Sequence, residues 1–150
     1  MSVGEFCTRE VVVAERGADI VEVAQLMRTY HVGDVIIIEH HGNLPVPVGI
    51  VTDRDIVVEL LAQQVDPDAA TAGDVMSRDL LTVTEKEGLW ETLQQMRSRG
   101  IHRVPVVNGE GGLVGILALD DVIELLAEQL ALLARTAGRS RKREQQKLDE

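Results

Sequence analysis

Apolar residues fall along this chain in two rhythms, and the pair of rhythms comes round twice. Val11-Val12-Val13 is a short apolar run, followed by apolar positions at helical spacing, Ile20, Val23, Ala24 and Met27. Val35 to Ile38 and Val48 to Val51 then read as strands on either side of a Gly42-Asn43 turn, and a second helix follows. The same order returns with Leu81-Thr82-Val83, then Leu89, Leu93 and Met96, then strands Val104 to Val107 and Leu113 to Leu117 around Asn108-Gly109 and Gly111-Gly112. Met27-Arg28 aligns with Met96-Arg97, and Gly49 with Gly115; the first hairpin is longer, where an insertion is cheapest. Asp19 and Glu87 stand near the two helix starts, where acidic groups suit the dipole.

The pattern therefore predicts an α/β fold of two pseudo-symmetric β-α-β-β-α repeats packed sheet to sheet, since each sheet is covered by helices on one face only. The expected divisions are residues 1–65 for the first repeat with its lead-in, 66–135 for the second, and 136–150 for a basic, mixed-charge tail. Gln63 to Asp74 reads as the linker. The last helix is expected from Asp120 to about Ala137, ended by Gly138, with a frayed or disordered tail beyond. Leu125, Leu126, Leu130, Leu132 and Leu133 exceed what one short repeat should bury. They serve either this chain's own sheets or a second subunit, with equal weight.

Composition narrows the function. Apolar residues make up 45% and aromatics 2%, so the core is built from Val, Ile and Leu, and Phe6, Tyr30 and Trp90 are the whole aromatic set. A net charge of -10 repels phosphate backbones, and stacking platforms for single strands are absent, so nucleic acid is not an expected partner. The single cysteine, Cys7, permits no intrachain disulfide and no Cys-based zinc cage. Neither a signal peptide nor a membrane span is read, and a cytoplasmic location is expected. His40-His41 on a hairpin tip reads as a solvated turn, and His31 as a cation at a helix end. No Ser–His–Asp order, Gly-rich phosphate loop or HExxH is found, so no catalysis is expected.

The segment Gly49-Ile50-Val51-Thr52-Asp53-Arg54-Asp55 carries the most chemistry. A strand ends there and a helix begins, and free backbone N–H groups at such a start favour an anion. Thr52 can donate to a phosphate oxygen, Arg54 can offer it charge, and Asp55 can accept from a ribose diol. The alternative is a capping box, Thr52 as N-cap and Asp55 at N3. The equivalent segment is Gly115-Ile116-Leu117-Ala118-Leu119-Asp120-Asp121. Ala118 has no hydroxyl, yet Asp121 keeps the carboxylate, as diol binding would require.

These repeats resemble CBS domains, and the pair resembles a Bateman module, from Gly4 to about Leu126. The resemblance rests on GIVTDRD, on DVMSRDLLTV from Asp74 to Val83 and on IHRVPVV from Ile101 to Val107. It implies a regulatory protein that binds AMP, ADP, ATP or S-adenosylmethionine between the repeats, with magnesium accompanying ATP. It implies Thr52 on phosphate and Asp55 on the ribose, Asp121 alone in the second repeat, and His102-Arg103 reaching toward phosphates. Adenine would lie against Leu80, Leu81, Val104, Pro105 and Val106, or in the first repeat against Arg9 to Val12 and Val35 to Ile37. Ala118, Cys7 in place of Met76, and acidic Asp34 depart from the pattern, so the two sites are expected to be unequal. The implied partners are a second copy, as a homodimer, and a regulated enzyme or transporter. The competing reading is a ligand-independent dimerisation or scaffold module in which Thr52 and Asp55 only cap.

Overall fold

The computed structural model describes residues 1–150 and contains the duplicated unit. The first half holds α1 (Val3–Phe6), β1 (Val13–Glu15), α2 (Ile20–Tyr30), β2 (Asp34–His41), β3 (Leu44–Thr52) and α3 (Asp53–Asp55), which widens into a π-helical turn over Ile56–Leu61. The second half holds α4 (Ala72–Val75), β4 (Val83–Thr84), α5 (Leu89–Arg99), β5 (Arg103–Val107), β6 (Leu113–Ala118) and α6 (Leu119–Asp149). Each half builds a three-stranded sheet with a parallel first pair and an antiparallel hairpin, β1-β2-β3 and β4-β5-β6. Both hairpins carry a register shift at matching places, Ile37/Ile38 and Val106/Val107.

The opening strands start later than the apolar runs suggest, at Val13 and Val83. Val11 and Val12 instead lie half-buried ahead of β1, against a cleft described below. Asp19 caps α2 by accepting from the Val21 N–H at 2.9 Å, and α2 ends on His31 in the left-handed region (φ 54). Glu87 is not in the first turn of α5. Gly88 is the N-cap, and the Glu87 carboxylate accepts the Thr84 N–H at 3.0 Å.

Each lead-in packs on the other repeat. The first repeat's core (Ile20, Val23, Val35, Ile37, Val51, Leu60) takes in Ala70, Ala72 and Met76 from the segment before β4. The second core (Val83, Leu89, Met96, Val104, Val106, Leu117) takes in Val3, with Phe6 and Cys7 against it. Backbone pairs seal the exchange. Ser77 and Ile50 bond each other in both directions at 2.9 and 3.2 Å, as do Thr8 and Ile116 at 2.9 Å each. The stretch read as a linker is thus structural: Pro67–Ala69 forms a short 3₁₀ turn capped by Asp66, and α4 follows.

α6 does not stop at Gly138 but runs on to Asp149. A helical glycine costs about 1 kcal/mol relative to alanine, and the Ala, Arg, Lys, Glu and Gln residues around it are strong helix formers. Of its leucines, Leu125 is half-buried while Leu126, Leu130, Leu132 and Leu133 are exposed, so the far part of α6 does not pack on the chain's own sheets. No helix is long and apolar enough to cross a membrane.

Candidate ligand cleft between the repeats

β3 ends at Thr52, and the backbone turns there into α3. The Thr52 hydroxyl accepts the Asp55 N–H at 3.1 Å, and Asp55 Oδ2 accepts the Thr52 N–H at 2.9 Å. This is the reciprocal capping box the spacing allows. The Asp53 N–H is held by the Gly33 carbonyl at 3.0 Å, and the Arg54 N–H by Asp53 Oδ1 at 2.8 Å.

Above this turn lies a cleft of about 540 Å³. Ile50, Thr52, Asp53 and Arg54 form one wall; Ser77, Asp79, Leu80 and Leu81 of the second lead-in form another; Ile101, His102 and Arg103 close the third. Its pseudo-twofold counterpart is lined by Thr8, Glu10, Val11, Val12, Val32, Ile116, Ala118, Asp120 and Asp121, and holds about 220 Å³. Ligand pockets run to about 300–1,000 Å³, so the first cleft falls within that range and the second below it. The Thr8 hydroxyl donates to Asp121 Oδ2 at 3.3 Å across the smaller cleft and narrows it.

Asp34 and Arg103 border both clefts. They occupy equivalent positions in the two repeats and meet at the pseudo-axis, Arg103 Nε to Asp34 Oδ2 at 2.9 Å and Nη1 to Oδ1 at 3.3 Å. Asp34 is 13% exposed and Arg103 32%. Burial pushes the Asp34 carboxyl above the ordinary aspartate value; Arg103 opposes the rise and nearby Asp53 adds to it. Burial likewise raises the Cys7 thiol, against the pull of Arg9, which disfavours its reactive thiolate.

The cleft brings together Thr52, Arg54, Leu80, Leu81, His102 and Arg103. It does not include Asp55, which faces a neighbouring groove with Glu59, Leu60, Ala70, Asp74, Val75 and Ser77. Asp121 lines the smaller cleft. Val104 and Pro105 are buried in β5, Val104 within the second core, and border neither cleft. The motif reading passed over Asp53 and Asp79. Asp34, a departure from the family pattern, is the ion-pair partner of Arg103, and their opposite charges at matching repeat positions are the sequence signal for it. His40 and His41 pair with Glu15 and Glu39 at 3.2 and 3.6 Å, and no cluster of three or more His, Cys, Asp or Glu side chains could hold a metal ion.

Known proteins resemble this chain in sequence and in fold. An uncharacterized protein of Methanopyrus kandleri, MK0525, is 34% identical over 125 residues, and the match covers 83% of this chain but 62% of that protein. Hypoxic response protein 1 of Mycobacterium tuberculosis is 36% identical over 105 residues, covering 70% of this chain and 71% of that one. Among solved structures, the CBS domain protein PAE2072 from Pyrobaculum aerophilum complexed with AMP superposes with a TM-score of 0.72 at 30% identity, covering 81% of this chain and 89% of that one. The CBS domain pair of protein MJ0100, in complex with 5-methylthioadenosine and S-adenosyl-L-methionine, gives a TM-score of 0.74 at 26% identity over 86% of this chain and 98% of that one. The sequence model of the CBS domain matches residues 3–62 and 72–128, one in each half of the duplicated fold, and the chain belongs to the CBS domain family.

Proposed function

We propose that the chain is a regulatory module, not an enzyme, that binds an adenosine nucleotide in the larger cleft and passes the signal to an enzyme or transporter. The observation that carries this reading is the convergence of both repeats on one cavity of about 540 Å³, apolar on the Leu80 and Leu81 side and polar on the Thr52, Arg54, His102 and Arg103 side. In this reading adenine rests on the leucines and the phosphate meets the Thr52 hydroxyl and the cations. Two similar structures were solved with adenosine compounds, AMP in one, 5-methylthioadenosine and S-adenosyl-L-methionine in the other, which supports the ligand class. Asp34, Asp53 and Asp79 set three carboxylates against the two guanidinium groups of Arg54 and Arg103. That balance favours a monophosphate or a cationic sulfonium over a bare triphosphate, and ATP would bring magnesium to offset its charge.

A second reading has its own support. The capping box is fully made, and Asp55 stands outside the cleft, as expected of a ligand-independent dimerisation or scaffold module. Calorimetric titration of AMP, ADP, ATP and S-adenosylmethionine separates the two. The sensor reading expects AMP to bind and Leu81→Glu to weaken it at least tenfold, because a carboxylate then faces the base. No heat from any of the four at millimolar concentration refutes it.

A further inference from the structure

Every residue from Leu126 to Glu150 is exposed, although that stretch is helical nearly to its end. Helices in proteins owe most of their stability to packing an apolar face. α6 has such a face with nothing on it. Ile123, Leu126, Leu130, Leu133 and Ala137 alternate by three and four residues, the a/d spacing of a coiled-coil seam, and the first four are 55%, 42%, 67% and 66% exposed.

The charges along the same helix say what covers it. Asp120, Asp121, Glu124 and Glu128 crowd the first part; Arg135, Arg139, Arg141, Lys142, Arg143 and Lys147 crowd the last. Suppose two α6 helices run antiparallel, centred between Ala131 and Leu132. Leu130 then faces Leu133 of the second copy, Leu126 faces Ala137, and Ile123 faces Ser140. In that same register Glu128 stands level with Arg135, Glu124 with Arg139, Asp121 with Lys142 and Asp120 with Arg143. One axis of symmetry thus matches the apolar layers and sets all four acidic positions level with basic ones. A parallel pair would set each of these charges beside its own copy. Most of them point away from the seam, so they compensate the field of the two rods and do not touch. Asp120 and Arg141, at the flanking e positions, are close enough to pair directly. The antiparallel helix dipoles favour the same arrangement.

We propose that α6 pairs antiparallel with α6 of a second copy of this chain through the Ile123, Leu126, Leu130, Leu133 and Ala137 seam. The pairing sets Arg141 of the second copy beside Asp120, on the rim of the smaller cleft, and it stands independently of whether any nucleotide binds. Single cysteines in a Cys7→Ala background test it. Leu126→Cys and Ala137→Cys, each alone, place like cysteines far apart in the antiparallel register. Mixed and mildly oxidised, they should give a disulfide-linked pair whose intact mass is the sum of one of each. Adding Leu130→Lys and Leu133→Lys to both should abolish the link while far-UV circular dichroism shows the body still folded. A link within Leu126→Cys alone would mean parallel pairing and overturn the proposal. So would no link in the mixture, or a link indifferent to the lysines.

Discussion

Gly49 does not itself line the larger cleft, yet a side chain there would press on the wall at Ser77. A methyl group added there would meet Met76 Sδ at 2.5 Å, Met76 Cγ at 2.8 Å and the Ser77 carbonyl oxygen at 2.9 Å. The thioether can swing aside, but the carbonyl is main chain and is bonded to the Ile50 N–H at 3.2 Å. Replacing a strand glycine gains about 0.5–1 kcal/mol from the unfolded state. Overpacking against backbone costs about 1–3 kcal/mol, and loosening the two Ser77–Ile50 bonds costs about 0.5–1.5 kcal/mol each. Gly49→Ala should therefore be destabilised by a net of about 1–5 kcal/mol, which lowers Tm by about 2–4 °C per kcal/mol for a chain of this size. Thermal denaturation followed by circular dichroism measures it, with Gly109→Ala as the control, since nothing lies within 4 Å of a methyl group there. The lead-in wall of Asp79, Leu80 and Leu81 begins next to this contact, so nucleotide affinity should fall with stability. A Gly49→Ala midpoint within about 1 °C of the Gly109→Ala control would refute the close approach as a structural constraint.

Two further outcomes follow from the same contacts. Thr52→Ala removes the cap on the Asp55 N–H and should cost about 0.5–2 kcal/mol in urea denaturation, while Thr52→Ser should restore most of it. Arg103→Gln should cost about 1–3 kcal/mol by leaving the mostly buried Asp34 without its cation, and the loss should depend on pH. Asp34 already binds its proton more tightly folded than unfolded, and more so without Arg103. The native state then holds the extra proton, so stability falls as pH rises from the ordinary aspartate value through the raised one. Denaturation midpoints of Arg103→Gln at pH 4 and pH 7 check this; a larger deficit at pH 4 would contradict it.

The fold was legible because it is written twice. A weak alternation in one half is reinforced when Met27, Gly49 and the hairpin residues return at Met96, Gly115 and their neighbours. What the pattern could not show is where each lead-in goes. Ala70 and Ala72 fall in the stretch that reads as a linker and Met76 in the lead-in just beyond it, and only the three-dimensional exchange puts them into the first repeat's core. Of the residues that line the larger cleft, Thr52 and Arg54 were legible from the strand-to-helix turn, while His102-Arg103 came only from the family resemblance. Asp55's place was not legible, because the spacing that suits a diol also suits a cap, and periodicity cannot say which way a carboxylate turns. Asp53 and Asp79 passed unnoticed among many acidic residues. Gly138 misled because a helix-breaking rule for one residue is weaker than the summed propensity of its neighbours.

The exchange of lead-ins and the ion pair at the axis have one consequence in common. Each cleft is walled by both repeats, and Asp34 and Arg103 border both. If a phosphate in the larger cleft draws Arg103 toward itself, Asp34 loses the cation that opposes its burial, and its carboxyl takes up a proton more readily. The smaller cleft then keeps Asp34 in its lining without the guanidinium that held it. Occupancy of one cleft thereby alters the electrostatics of the other through two side chains, with no movement of a sheet. The size of such coupling is bounded by the difference in ligand affinity between the paired and unpaired states of Arg103. A ligand without an anionic group, which makes no claim on that guanidinium, would leave the smaller cleft unchanged.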